Sequence, residues 1–257
     1  MSASLGPWDW VWDAPLAAAL AAVAVLYHLH PRVRPQRRHR VCFWAGMSCV
    51  VVAAFSPLEV GAAYLLWLHM LQHMLLMLVA APLLAAAVPP ALVGWLSRRP
   101  WVGPVVEALW NPWTATALYN AVVVLWHVPG AYAWVLRSQA AHALQHATFL
   151  LSAVLFWSVL LSPARYPSPG QRLVAVGVTA VVQFLPAFAL SVSDRVLYTP
   201  YLEVPRLWGW SALDDQRWAG VLMWVGTNLA YAVAALWVAR PLLRPEPPLQ
   251  GVEDPRV

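Results

Sequence analysis

The chain has 257 residues, of which 61% are hydrophobic and only 11% are charged, and its formal net charge is +5. An ordinary soluble domain carries about 25% charged residues, so this composition excludes a soluble globular protein and indicates an integral protein of the lipid bilayer. The basic residues lie between apolar segments, which points to membrane topology and away from nucleic-acid binding.

Seven apolar segments, separated by Pro, Gly and Arg residues, are predicted to cross the bilayer as helices. In chain order they cover residues 14–30, 41–58, 64–88, 113–128, 140–161, 173–192 and 218–239. The predicted fold is all-α, a polytopic bundle of seven transmembrane helices in a single domain over residues 1–240. Residues 241–257 are rich in Pro and are predicted to form a disordered cytoplasmic tail.

The arginines predict the orientation, because cytoplasmic loops of membrane proteins are enriched in positive residues. If the N-terminus is outside, only four of the 16 basic residues fall on the outer side, namely Arg137, Arg195, Arg206 and Arg217. All the others lie in inner loops or in the tail. The bias predicts an N-outside, C-inside protein of the plasma (inner) membrane.

The motif His-x-Leu-Gln-His occurs twice, at residues 69–73 in the third segment and 142–146 in the fifth. Residues four apart share one face of a helix, so each copy presents two imidazoles side by side. Both segments run inward, which places both pairs near the outer end. His127 closes the outward-running fourth segment and is predicted to meet them there. Ionisable groups at membrane depth usually mark a functional site.

We interpret this outer cluster as a metal site. Met70, Met74 and Met77 accompany the first pair on a broad helix face, and imidazole with thioether favours copper, particularly Cu(I). Asp215 opens the last segment, and Met223 follows two turns later on the same side. The predicted metal ligands are His69, His73, His127, His142, His146, Asp215 and Met223.

Structural roles compete with ligation at these positions. A lone His in a membrane helix can be a hydrogen-bonding partner between helices, and Met is a common packing residue. Asp214 and Asp215 are equally suited to cap the last helix and to complement its dipole. The repetition of the His pair, with His127 at the same level, favours a functional cluster over a structural one.

The residues alone leave three functions open. The cluster suits a factor that holds copper for another protein, an electron carrier with a haem ligated by His, or a transporter that relays ions or protons. The sequence contains neither a phosphate-binding Gly loop nor a motif that pairs a nucleophile with a base. We therefore predict that the chain is not an enzyme.

Four stretches of the chain resemble the CtaG-type assembly factor of caa(3)-type cytochrome c oxidase. They are HMLQH (69–73) with the apolar run up to Pro82, WHVPGAY (126–132), HALQH (142–146) and DQRWAGVLMW (215–224). The resemblance implies a multi-pass plasma-membrane protein that assists haem-copper oxidase assembly, with oxidase subunits as partners and copper delivery as the expected role. It assigns the family's polar positions to His69, His73, His127, His142, His146, Asp215, Gln216 and Met223.

Overall fold

The computed structural model describes residues 5–29, 35–161 and 167–242. Within these ranges the chain is helical and contains no β-strand, which confirms the predicted all-α class. The predicted disordered tail lies outside the described residues from position 243 onward.

The described ranges contain twelve α-helices. The first seven are α1 (Ala14–Leu29), α2 (Arg37–Phe55), α3 (Pro57–Ala62), α4 (Leu66–Met74), α5 (Ala81–Ala87), α6 (Pro90–Ser97) and α7 (Gly103–Leu109). The remaining five are α8 (Pro112–His127), α9 (Pro129–Arg137), α10 (Gln139–Leu161), α11 (Pro169–Val192) and α12 (Ala212–Ala239). A π-helical segment (Leu75–Ala80) joins α4 to α5, and a 3₁₀ turn (Thr199–Leu202) precedes α12.

Four of the described helices are long and apolar enough to cross a membrane. They are the continuous helix Leu66–Ala87, Gln139–Leu161, Pro169–Val192 and Ala212–Ala239. The other three predicted spans are helical at the expected places but fall short of this standard. Helices α1 and α8 have 16 residues each, about 24 Å at 1.5 Å per residue, and α2 carries three arginines in its first turn.

Proline 82 explains the irregular middle of the long helix Leu66–Ala87. In the π pattern each N–H donates to the carbonyl five residues back, as Ala81 does to Leu76. Pro82 has no N–H, so it leaves the carbonyl of Met77 without its helical donor. The indole of Trp157 in α10 fills this position, donating to the Met77 oxygen at 2.8 Å. The structure thus has a wide π turn just before Pro82.

Contacts at the helix ends show that the first helices run alternately between two ends of the bundle. At one end the segment before α1 meets the end of α2, where Val11 N–H donates to the Phe55 carbonyl at 2.9 Å. At the opposite end, the Tyr27 hydroxyl of α1 donates to the Ala87 carbonyl of α5 at 3.0 Å. Helix α1 therefore runs away from the first end, α2 returns, and α4 to α5 runs away again.

The later helices continue this alternation. Helix α8 lies antiparallel to α10, since Trp126 near the end of α8 donates to Thr148 at 2.9 Å, while Tyr119, earlier in α8, stacks on Phe156, later in α10. Helices α11 and α12 are closely packed and antiparallel. Gly220 permits this approach, because a Cβ there would lie 2.6 Å from the Ala187 carbonyl oxygen. As a result, α4, α10 and α12 all begin at the same end of the bundle.

Candidate functional site

The four histidines of the two motifs form one cluster where α4 and α10 begin. Within each copy the ring centroids are 4.4 Å apart for His69 and His73, and 4.1 Å apart for His142 and His146. Between the copies, His69 lies 5.0 Å from His142 and His73 lies 5.4 Å from His146. Helical spacing thus forms the pairs, and packing of α4 beside α10 brings the pairs together.

The imidazoles of this cluster offer unpaired nitrogens. The Nε2 atoms of all four cluster histidines, and of the nearby His127, are buried and have no hydrogen-bond partner among the described residues. The histidines concerned are His69, His73, His127, His142 and His146. A buried polar atom without a partner costs about 1–3 kcal/mol, so native structures seldom keep several together without a reason. A bound ion that accepts the nitrogen lone pairs provides such a reason.

Hydrogen bonds at Nδ1 fix the tautomer of two rings. His69 Nδ1 lies 3.1 Å from the hydroxyl of Tyr201, which donates its own proton to the Ala62 carbonyl at 2.8 Å. Burial raises the pKa of Tyr201 well above its ordinary value, so the hydroxyl keeps that proton. His127 Nδ1 lies 2.7 Å from the Val123 carbonyl, which can only accept. Both neutral rings therefore carry their proton on Nδ1, which leaves the Nε2 lone pair available to a metal.

A carboxylate absent from the predicted ligands adjoins the cluster. Glu59, in the short helix α3, has its Oε1 atom 3.3 Å from His142 Nδ1. Its Oε2 atom accepts a hydrogen bond from the side-chain amide of Gln72, the glutamine of the first motif. A sequence signal for it exists, since Glu59 is the one acidic residue between Asp13 and Glu107.

Two overlapping sets of side chains have the spacing of metal ligands. The ligand atoms of His69, His73 and His146 lie within 4.8 Å of one another, and so do those of Glu59, His142 and His146. His146 belongs to both sets. Imidazole nitrogens with one carboxylate oxygen suit copper and zinc among the common biological metals. The residues present therefore fit a transition-metal ion.

His127 lies beside these sets without belonging to either. The ring of Phe149 contacts both imidazoles, with its centroid 4.7 Å from that of His73 and 6.2 Å from that of His127. The backbone of His127 is held at the end of α8, where its carbonyl accepts from the Tyr198 hydroxyl at 3.0 Å. The structure thus brings His127 close to the four-histidine cluster but outside both sets of ligand atoms.

Asp215 is fully buried and caps the helix that carries His69. Its carboxylate accepts from the backbone N–H groups of Leu66 at 2.9 Å and Trp67 at 3.0 Å. These are the first N–H groups of α4, which have no partner within the helix. Arg206 also donates to the Asp215 carboxylate at 2.9 Å. Asp215 therefore fixes the start of α4 and, through it, the position of His69.

The neighbouring carboxylate, Asp214, has a different role. It is exposed, and Ser211 caps α12 by accepting from Asp214 N–H at 3.0 Å and donating to the Asp214 carboxylate at 2.6 Å. The capping role that the sequence allows for the two aspartates in the last helix thus belongs to Ser211. Asp215 instead caps α4.

The methionines are each surrounded by apolar side chains. Met223 and Met70 pack in one apolar cluster with Leu66 and two tyrosines of the segment between α11 and α12. Met77 belongs to the main core, and Met74 lines an apolar groove between α4 and α12. Their packing gives these thioethers a structural role of the kind expected for methionine in helix interfaces.

Residues 14–245 match the sequence profile of the cytochrome c oxidase caa3 assembly factor family (Caa3_CtaG). No curated protein and no solved structure gives a significant match. The matched range contains both His motifs, the helix that ends at His127 and the buried Asp215. It covers all twelve described helices, and it agrees with the resemblance seen in the sequence. The chain therefore belongs to the cytochrome c oxidase caa3 assembly factor family.

Proposed function

We propose that this protein binds copper at its histidine cluster and delivers it to cytochrome c oxidase during assembly. Membership of the family supports the role in oxidase assembly. The observation that carries the copper step is the convergence of four imidazoles whose Nε2 atoms are buried and unpaired. Copper is the chosen metal because a caa3-type oxidase is a haem-copper enzyme and imidazole nitrogen is a good copper ligand.

In this role copper is the cargo and the protein acts as its carrier. Neutral imidazoles of His69, His73 and His146 bind the ion without adding charge, so the ion itself is the main local charge. The Glu59 carboxylate, 3.3 Å from His142, lies at the edge of the cluster, where a negative charge attracts a cation. Asp215 contributes by fixing the start of α4. The protein thus acts as a carrier and assembly factor with no reaction of its own.

We place the cluster near the outer surface of the plasma membrane, in a protein that crosses it seven times. The alternation of α1, α2, α4 to α5, α8, α10, α11 and α12 between the two ends of the bundle supports this number. Helix α5 ends far from the cluster, whereas α10 begins at the cluster, where His142 contacts His69. The chain must therefore return to the cluster between these two helices, and α8 makes this return. The arginines of α2 lie in its first turn, where long side chains can extend to the headgroups.

The contacts within the cluster favour a small ion over a haem. A haem with two His ligands holds one imidazole on each side of its plane. Here the rings contact each other directly, with centroids 4.1 to 5.4 Å apart across the four neighbouring pairs. Rings packed in this way can surround an ion but leave no space for a porphyrin.

Complementation tests the proposal in cells. A strain without its own factor receives the wild-type gene, a His69→Ala/His73→Ala double variant, or His28→Ala as a control. His28 is an exposed histidine of α1 outside the cluster. We expect the wild type and the control to restore caa3 oxidase activity and oxidase copper. The double variant should restore less than about one tenth, because removing metal ligands typically lowers affinity by more than 10–100-fold.

The protein level in membranes is measured by immunoblot in the same strains. Full oxidase activity with the double variant at the wild-type level would contradict the proposal. Partial rescue of the double variant by added copper would support it, since excess copper compensates for weaker binding.

A further inference from the structure

We propose that Glu59, His142 and His146 form an outer position through which the ion enters and leaves the cluster. From there the ion reaches the inner position formed by His69, His73 and His146. This inference rests on the proposed function, because it assumes that the cluster carries a copper ion. It adds a route, and it gives a role to Glu59, which neither the sequence motifs nor the family match assigns.

The two positions differ in exposure. His69 and His73 are each only 1% exposed. The side chains of His142 and Glu59 are 19% and 24% exposed, respectively. An ion that arrives from outside the bundle therefore meets Glu59 and His142 before it can reach His73.

Two clefts lead to the outer position. One, of about 410 Å³, is lined by Glu59, His142 and His69, and the other, of about 320 Å³, by Glu59, His142 and His146. Glu59 and His142 thus line both clefts, while His73 lines neither of them. A carboxylate at the junction of two clefts attracts cations, because the field of a fixed charge is focused where low-dielectric walls surround it.

The shared His146 indicates that one ion occupies the two positions in turn. The ligand atoms of each set lie within 4.8 Å of one another, so the two positions are only a few ångströms apart. Two unit charges about 4 Å apart repel by about 4 kcal/mol at an effective dielectric constant of 20. A single ion avoids this repulsion by keeping His146 while it exchanges Glu59 and His142 for His69 and His73. Its oxidation state does not change.

The first motif also positions the outer carboxylate. Gln72 is fully buried, and its amide donates both to Glu59 and to the Ala53 carbonyl, the latter at 2.7 Å. The motif His69-x-Leu-Gln72-His73 therefore supplies two inner ligands and the group that holds Glu59 in place. The corresponding Gln145 of the second motif is fully buried and lies beside His69.

Copper retention and copper release separate the two positions. The purified full-length protein is loaded with one equivalent of Cu(I) under reducing conditions and desalted. Copper that remains bound reports on the inner position. The rate of transfer to an excess of a chromogenic Cu(I) chelator reports on the route out.

We expect Glu59→Gln and His142→Ala to retain copper within about twofold of the wild type but to release it about 10-fold more slowly, in the range typical of altered metal surroundings. His73→Ala should lose most of the retained copper, because it removes a ligand found only in the inner position. Glu107→Gln changes an exposed glutamate of α7 and is the matched control. If Glu59→Gln fails to accumulate, Gln72→Leu frees Glu59 from its amide partner and should also slow release.

The possible failures are distinct. Wild-type protein that retains no copper would refute the proposed function itself. Wild-type protein that retains copper, with Glu59→Gln and His142→Ala releasing it at the wild-type rate, would overturn only the outer position. The same conclusion would follow if these two variants lost retained copper as fully as His73→Ala does.

Discussion

Asp215 shows how one buried side chain can support a site without belonging to it. Its two oxygens accept from two backbone N–H groups of α4 and from the guanidinium of Arg206. Arg206 in turn donates to the carbonyls of Tyr64 and Tyr201 at 3.2 Å each. The Asp215 carboxylate thus connects α12 and the start of α4 with the segment between α11 and α12, whose Tyr201 hydroxyl lies beside His69.

Replacement of Asp215 tests this supporting role. Asp215→Ala should lower the free energy of unfolding by about 2–4 kcal/mol, because it removes a helix cap and a charge-assisted hydrogen bond. Asp214→Ala, next to it but exposed, should cost less than about 1 kcal/mol. Thermal unfolding of the purified protein in detergent measures both. A loss of copper from Asp215→Ala without a loss of stability would instead identify the carboxylate as a metal ligand, as the sequence predicts.

The sequence identifies the histidines better than their partners. Both imidazole pairs follow from i, i+4 spacing within one helix, which is a local pattern. Glu59 and Tyr201 lie in a short helix and a 3₁₀ turn, and only tertiary packing brings them to the cluster. Glu59 has a weak local signal as an isolated acid within a long apolar region. Tyr201 has none, because a tyrosine near a membrane surface is common.

The π turn before Pro82 shows, at the scale of one helix, the same difference between what a local sequence pattern predicts and what only tertiary packing determines. The sequence identifies Pro82 as an interruption, because proline lacks the N–H that a helix requires. It does not show how the free carbonyl is satisfied, since the donor, Trp157, is 80 positions away. The π turn and the indole together let α4 and α5 form one continuous span that begins at the histidine cluster.

A double-mutant cycle tests this account of the π turn. Trp157→Phe should cost about 1–3 kcal/mol, because it leaves the buried Met77 carbonyl unpaired. In a Pro82→Ala background, residue 82 regains an N–H that can donate to that carbonyl, so Trp157→Phe should cost about 1 kcal/mol less. Unfolding of the four proteins in detergent gives the coupling energy. Purely additive effects would show that Trp157 does not serve as the substitute donor.

At the scale of the whole molecule, the contacts between helix ends are more informative than hydropathy. By length and composition alone, only four described helices qualify as spans. Helices α1, α2 and α8 nevertheless run between the same two ends as these four. The short α8 ends with His127 at the cluster, after α5 has ended at the far side. Because α10 begins at the cluster, the chain must return from the far side of the bundle to the cluster through α8.

Reporter fusions test the seven-pass arrangement. Green fluorescent protein at the C-terminus should fluoresce, because the positive-inside bias predicts that this end lies in the cytoplasm. Alkaline phosphatase should be active when inserted near Trp208, between α11 and α12, and inactive when inserted near Arg99, before α8. Phosphatase activity at both insertion points would show that α8 does not cross the membrane, and the orientation of the cluster would have to be revised.

The central claim is that the histidine cluster binds copper, and the copper content of the purified protein tests it most directly. After loading with Cu(I) under reducing conditions and desalting, the wild type and His28→Ala should carry about one copper per chain, since coordinated ions are held by the folded site. The His69→Ala/His73→Ala double variant should carry less than about a tenth of that. Wild-type protein with no copper above the buffer level would contradict the claim.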